Sequence, residues 1–164
     1  VARRAGAVAI SAPAADRLNL ASSGCRYRKA AQRHEKRGSE SMAKNVLIVD
    51  DSATMRKIIM RGIRQAGIEN ADFKEAGDGV EGLKAVEGEK FDLILSDVNM
   101  PNMNGLDFVK EVAAKLGTPP PIVMITTEGS EEVVKEAMTR GAKGYLKKPF
   151  TPEKIQEVIG PFLK

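Results

Sequence analysis

The sequence predicts an α/β domain whose parallel sheet is covered by helices on both faces. Three observations carry this expectation. Five runs of strand length alternate with five segments of helical period over about 120 residues. The inner runs are continuously apolar rather than alternating, as strands buried on both faces require. Each run ends on polar or turn-forming residues that cannot continue it.

The first run is Val46-Leu47-Ile48-Val49, closed by the acidic pair Asp50-Asp51. A helix follows, with Met55, Ile58, Ile59, Ile63 and Ala66 on one face and Gly67 as its stop. Gly62 inside it costs about 1 kcal/mol relative to alanine and does not reverse the assignment. Residues 71–76 form a more polar strand, suited to a sheet edge. Asp78-Gly79 is a hairpin dipeptide, but Val80, Leu83 and Val86 recur at helical spacing, so strand, turn, helix is preferred.

Phe91, Leu93, Ile94 and Leu95 make the third run, and the Asn, Pro and Gly residues between Asn99 and Gly105 stop it. Asp97 therefore falls at or near a strand's carboxyl end. Leu106, Val109, Val112, Ala113 and Leu116 give the next helix, capped by Asn104. Pro121 introduces the run Ile122 to Ile125, which ends at Thr126. Glu131 and Glu132 favour a helix start after Ser130, Val133, Val134, Ala137 and Met138 supply its apolar face, and Gly141 ends it. A short strand from Gly144 to Lys147 precedes Lys148-Pro149. Thr151 and Pro152 then cap a last helix with Ile155, Val158, Ile159 and Phe162 on its apolar face.

A chain of 164 residues, 42% hydrophobic, can bury one good core and hardly two. Its single cysteine, Cys25, allows no intramolecular disulfide or cysteine metal cluster, and its single histidine, His34, allows no multi-histidine site. No stretch reaches the roughly 18 apolar residues of a membrane span. The net charge of +4 suggests nucleic acid only until it is divided. Residues 1–41 hold nine Lys/Arg against three Asp/Glu, and the remainder holds 17 against 19. The folded part is thus slightly acidic, and neither nucleic acid nor membrane is an expected partner.

Residues 1–41, rich in Ala, Arg and Ser with few large apolar side chains, are expected to be a disordered basic tail, with the domain spanning 42–164. Three origins stay open for it. Arg3-Arg4 followed by a weak apolar stretch and Ala12-Pro13-Ala14 imitates a secretory signal, the Arg-rich composition fits a transit peptide, and the non-Met first residue Val1 suits a start placed upstream of a true start at Met42.

The strand pattern has one chemical consequence. Asp50, Asp51, Asp97, Thr126 and Lys148 each fall at or just after a strand's carboxyl end, so all converge on one sheet edge, where open parallel sheets bind ligands. Carboxylates gathered there repel one another by about 3 kcal/mol per pair at about 5 Å in an effective dielectric near 20. A cation must hold them, and oxygen-only ligands select a hard one such as Mg²⁺. Lys148 adds a fixed positive charge and Thr126 a hydroxyl, and together these groups suit a phosphoryl group moving onto a carboxylate oxygen. Singly, each residue has an ordinary reading: Asp50-Asp51 starts a helix, Asp97 opens a turn, Lys148 is a solvated charge, Thr126 satisfies the backbone. Their order, each after its own strand, is the signal.

The segments VLIVDD (46–51), LILSDVNMPNMNG (93–105), IVMITTEGS (122–130) and GYLKKPF (144–150) resemble the response-regulator receiver domain of two-component signalling, in particular its chemotaxis members. The resemblance spans Lys44 to about Lys164. It implies a flavodoxin-like (βα)5 doubly wound sheet of order 2-1-3-4-5, with Asp97 accepting a phosphoryl group from a histidine kinase. It further implies that Asp51, Asp97 and the backbone carbonyl of Asn99 bind Mg²⁺, with Asp50 helping through water. Lys148 would contact the phosphoryl group, the Lys148-Pro149 bond would be cis, Thr126 would swing inward on phosphorylation, and Tyr145 would be the aromatic switch. Two departures stand out. Asn104 occupies a position where the family usually has Asp, which touches only the loop and its cap. Thr127 occupies a position where a small residue is common, beside the phosphoryl pocket.

An Asp-nucleophile phosphohydrolase is the rival enzyme class. It needs Asp-x-Asp, and Ser52 and Ala53 stand at the required positions counted from Asp50 and Asp51. Neither G-x-x-x-x-G-K-[ST] nor G-x-G-x-x-G follows the first strand, against a nucleotide site. The expected protein is therefore not a classical enzyme but a cytoplasmic signalling receiver that takes part in its own phosphorylation and autodephosphorylation. With Lys164 close behind the last helix, its output is expected to be phosphorylation-dependent binding to another protein, either a flagellar motor switch or, as a phosphorelay intermediate, a histidine phosphotransferase.

Overall fold

The computed structural model describes residues 43–164 other than Glu128. The tail at 1–41 and the boundary at Met42 lie outside the described residues.

Ten elements alternate strictly: β1 (Lys44–Val49), α1 (Ala53–Gln65), β2 (Ala71–Ala76), α2 (Gly79–Gly88), β3 (Leu93–Asp97), α3 (Gly105–Leu116), β4 (Ile122–Thr126), α4 (Glu131–Arg140), β5 (Gly144–Lys147) and α5 (Pro152–Leu163). The five strands form one sheet in the order β2-β1-β3-β4-β5, and all four pairings are parallel. The alternation and the two-sided parallel sheet were expected from the pattern, and the flavodoxin-like, doubly wound order is the one the family resemblance implies.

The continuous apolar runs are explained by the two-sided core. Successive side chains of a strand point to opposite faces. Leu47, Val49, Ile94, Ile122 and Met124 pack with Val86, Phe108, Val109, Val112 and Ala137, which places α2, α3 and α4 on one face. Val46, Ile48, Leu93, Leu95, Val123 and Ile125 pack with Ile59, Ile63, Ile155 and Ile159, which places α1 and α5 on the other. Strands β3 and β4 are buried at every residue, whereas β2, at the edge, alternates and keeps Asp72, Lys74 and Glu75 exposed.

Each helix begins with a side-chain oxygen accepting a backbone N–H three residues on: Ser52 from Met55, Asp78 from Glu81, Asn104 from Asp107, Ser130 from Val133 and Thr151 from Lys154. Such caps contribute about 1 kcal/mol apiece and, more usefully here, set where each strand-to-helix loop ends. Gly141 closes α4 in the left-handed conformation at φ 115°, and Gly67 follows α1 at φ 83°.

Four residues depart from their expected place in the core. Ile58, Val80, Leu116 and Met138 are 48%, 36%, 36% and 47% exposed. Each lies at the margin of an apolar stripe wider than the strip of helix the sheet covers. At Gly62 a Cβ would stand 2.5 Å from Ile155 Cδ1, so the glycine leaves room for that side-chain end between α1 and α5. Among the described residues no helix is long and apolar enough to cross a membrane.

Candidate functional site

Sheet order and register assemble the site. Val49 of β1 lies opposite Ser96 of β3, so the residues that follow them, Asp50 and Asp97, stand side by side. Asp97 pairs with Ile125, and Thr126 with Lys147, which brings Thr126 and then Lys148 to the same edge. After β2 the chain crosses back over β1 to β3 and switches faces, opening a crevice above the carboxyl ends of these strands.

Asp50 is 1% exposed and held from all sides. Its backbone N–H donates to Ala76 O at 3.1 Å, its Oδ1 accepts from Ser52 N at 2.8 Å, and its Oδ2 accepts from Lys148 Nζ at 2.9 Å. The same ammonium lies 3.3 Å from Asp97 Oδ1. Asp51 is exposed at the mouth. One carboxylate oxygen from each of Asp50, Asp51 and Asp97 lies within 4.8 Å of the others.

Asp97 is 9% exposed, and burial pushes its carboxyl above the usual carboxylate value. The Lys148 charge opposes that shift, and the neighbouring Asp50 charge reinforces it. The one lysine touches two of the three carboxylates, Asp50 and Asp97, so the pocket is short of positive charge. Its donors are oxygens throughout, and the described residues include neither His nor Cys. That set fits a hard divalent ion such as Mg²⁺ better than a metal that prefers nitrogen or sulfur ligands.

The remaining expected residues fall around this cluster. Thr126 is 1% exposed, and its carbonyl accepts from Lys148 N at 2.7 Å, tying the ends of β4 and β5 together. Asn99 lies two residues past Asp97, on the exposed start of the β3–α3 loop. Lys148-Pro149 is cis. Tyr145 is apart from the acids, 45% exposed on β5 beside α4 and α5. Asn104 caps α3, and Thr127 is exposed just beyond β4.

Three supporting features have no periodic signature in the sequence. Gly105 packs so tightly that a Cβ would strike the Asp97 carbonyl oxygen and stand 2.7 Å from Met124 Cε. Asn102, at φ 63°, donates from Nδ2 to Asp78 Oδ2 at 2.6 Å, latching the β3–α3 loop to the cap of α2. Arg56 of α1 donates to the backbone carbonyl of Asp50.

Residues 46–160 match the response regulator receiver domain family. The chemotaxis protein CheY homolog of Campylobacter jejuni is 42% identical over 121 residues, covering 70% of this chain and 92% of that protein. The structure of chemotaxis protein CheY4 of Vibrio cholerae superposes with a TM-score of 0.66 at 39% identity, covering 74% of this chain and 99% of that one. A CheX–CheY–BeF₃–Mg²⁺ complex from Borrelia burgdorferi gives a TM-score of 0.66 at 27% identity, covering 74% and 90%. With a family match that takes in every strand and the whole acidic crevice, the chain belongs to the response regulator receiver domain family, and its relatives are chemotaxis regulators of the CheY type.

Proposed function

We propose that this receiver takes a phosphoryl group from a histidine kinase onto Asp97 and signals in chemotaxis by phosphorylation-dependent protein binding. The observation that carries the proposal is the setting of Asp97: a buried carboxylate at the end of the central strand, with Lys148 Nζ 3.3 Å away and two further acids within 4.8 Å.

In this reading an Asp97 oxygen attacks the phosphorus, and the bond from phosphorus to the donor imidazole nitrogen breaks. Lys148 neutralises a phosphoryl oxygen, which it can do because its ammonium already points at Asp97. Asp51, Asp97 and the Asn99 carbonyl would hold Mg²⁺, with Asp50 acting through water, and the ion when bound supplies charge neutralisation between carboxylates and phosphoryl oxygens. That a Borrelia complex contains Mg²⁺ and BeF₃ together with CheX and a CheY supports the choice of Mg²⁺. Thr126 then turns toward the phosphoryl group and Tyr145 inward, changing the surface of α4, β5 and α5 that a flagellar motor switch would read. The protein works in the cytoplasm, where kinases of this kind act, and water later removes the phosphoryl group from Asp97 at the same site.

The test is phosphorylation by a phosphorylated histidine kinase, or by acetyl phosphate, with Mg²⁺ present. Wild type takes up label and Asp97→Asn does not. Equal labelling of the variant would remove Asp97 from its role.

A further inference from the structure

We infer that Arg56 is a positioning residue for the cation site, setting the Asp50–Asp51 peptide so that the exposed carboxylate of Asp51 faces the crevice. The inference rests on the Mg²⁺ reading above and adds to it a residue outside the acidic cluster.

Arg56 lies one residue beyond the first capped N–H of α1, with its own backbone N–H bonded to Ser52 O at 3.0 Å. Its side chain folds back over the loop and is only 16% exposed. Nη1 donates to Asp50 O at 2.6 Å, and Nε donates to Glu75 Oε2 at 2.6 Å. Glu75 sits on β2, opposite Ile48 of β1. One guanidinium thus joins the edge strand, the first helix and the acidic loop.

The carbonyl it holds lies beyond the regular sheet. The pairing of β1 with both neighbours ends at Val49, so the ladder offers Asp50 O no partner. Every other polar group of Asp50 is fixed by Ala76, Ser52 or Lys148. Arg56 completes the set, and the peptide plane leading into Asp51 is thereby immobilised. Arginine suits the task because its planar fork presents two donors at a fixed angle. A lysine ammonium in its place would have to reach both acceptors from a single nitrogen at the end of a flexible stem.

The sign of the effect separates positioning from charge. As a charge alone, Arg56 repels a bound cation, so its loss would tighten Mg²⁺ binding. As a positioning group its loss loosens binding, since residues that orient metal ligands change affinity by tenfold or more. The experiment is calorimetric titration of Mg²⁺ into the unphosphorylated full-length protein, with thermal melts in EDTA confirming folding. Arg56→Ala should bind Mg²⁺ roughly tenfold more weakly than wild type, and Arg56→Lys should fall between them. Lys57→Ala, which removes a neighbouring exposed cation, should bind no more weakly than wild type. Should Arg56→Ala not fold, Arg56→Lys decides alone: weaker binding supports the role. Binding by the Arg56 variants as tight as wild type overturns it while leaving the metal reading intact. Failure of wild type itself to bind Mg²⁺ would overturn that reading and this one together.

Discussion

The Lys148 ammonium bridges two buried carboxylates, 2.9 Å from Asp50 Oδ2 and 3.3 Å from Asp97 Oδ1. These are the two acids that the sheet order sets side by side, and the lysine arrives from the far end of the sheet. It is the fold's own counter-charge, occupying part of the role that a divalent ion would share.

Replacing Lys148 with Met leaves Asp50, 2% exposed at its side chain, without a cationic partner. Removal of one member of a buried pair costs about 3 kcal/mol or more, so the variant should melt well below wild type in EDTA. Because the lysine also repels a bound cation, Mg²⁺ should raise the melting temperature of Lys148→Met more than that of wild type. Equal Mg²⁺ shifts in both proteins would mean that lysine and cation do not share the same carboxylates.

Gly105 is the tightest of the described glycines: a Cβ added there would meet the Asp97 carbonyl and Met124 Cε. A methyl group there must displace the Asp97 backbone as well as the Met124 side-chain end. Gly105→Ala should therefore cost about 2 kcal/mol by overpacking, with a larger relative loss in the rate of Asp97 phosphorylation than in stability. A variant that melts lower yet phosphorylates at the wild-type rate would show that α3 yields and Asp97 stays in place.

The fold was legible because both-face burial writes itself as unbroken apolar runs such as Leu93-Ile94-Leu95 and Ile122-Val123-Met124-Ile125, and three helices announce their start with Asn104, Ser130 and Thr151, whereas the caps Ser52 and Asp78 emerged only with the structure. The convergence of Asp50, Asp97, Thr126 and Lys148 followed from strand ends alone, but their sheet order did not; that came only with the family resemblance. Periodicity misplaced Ile58 and Met138, because a helical repeat marks an apolar stripe without saying how much of it the sheet covers. Arg56 was illegible for another reason. Its partners, Asp50 O and Glu75, are brought to it by the β1–β2 pairing, and on the sequence it is one of four cations along α1.

The latch between the β2–α2 and β3–α3 loops should be pH-dependent. Hydrogen bonds from Glu81 N and Asn102 Nδ2 hold the Asp78 carboxyl below its ordinary value of 3.8. A depressed folded value means that the contribution is complete above the unfolded value and is lost as pH falls through the folded one. At neutral pH Asp78→Ala should therefore cost about 1 kcal/mol, the worth of a typical cap. The gap between the two proteins in urea denaturation should narrow as pH falls below 3.8. Asp78→Asn should keep the cap and lose the pH dependence. A gap that stayed constant through the acid range would show that the cap does not depend on the carboxylate charge.

Output can be read through Tyr145. The chain has no tryptophan and two tyrosines, so in a Tyr27→Phe background the ultraviolet emission belongs to Tyr145 alone. In the structure the side chain is 45% exposed beside Met138 of α4 and Val158 of α5, open to a soluble quencher. A modified Asp97 can bias the domain only through groups whose contacts differ between the two states. Thr126 is buried next to Asp97 on β4, and its neighbour across the ladder is Lys147, two residues from Tyr145. A shift of Thr126 toward a phosphoryl group would open room on the side of the sheet edge nearest the ring, and burial of the ring would fill it. Acrylamide quenching should therefore fall on phosphorylation in the presence of Mg²⁺, remain unchanged in Asp97→Asn, and fall much less in Thr126→Ala even when that variant takes up label normally. Quenching that is the same before and after phosphorylation of wild type would take Tyr145 out of the output path and leave another face of the domain to carry the signal.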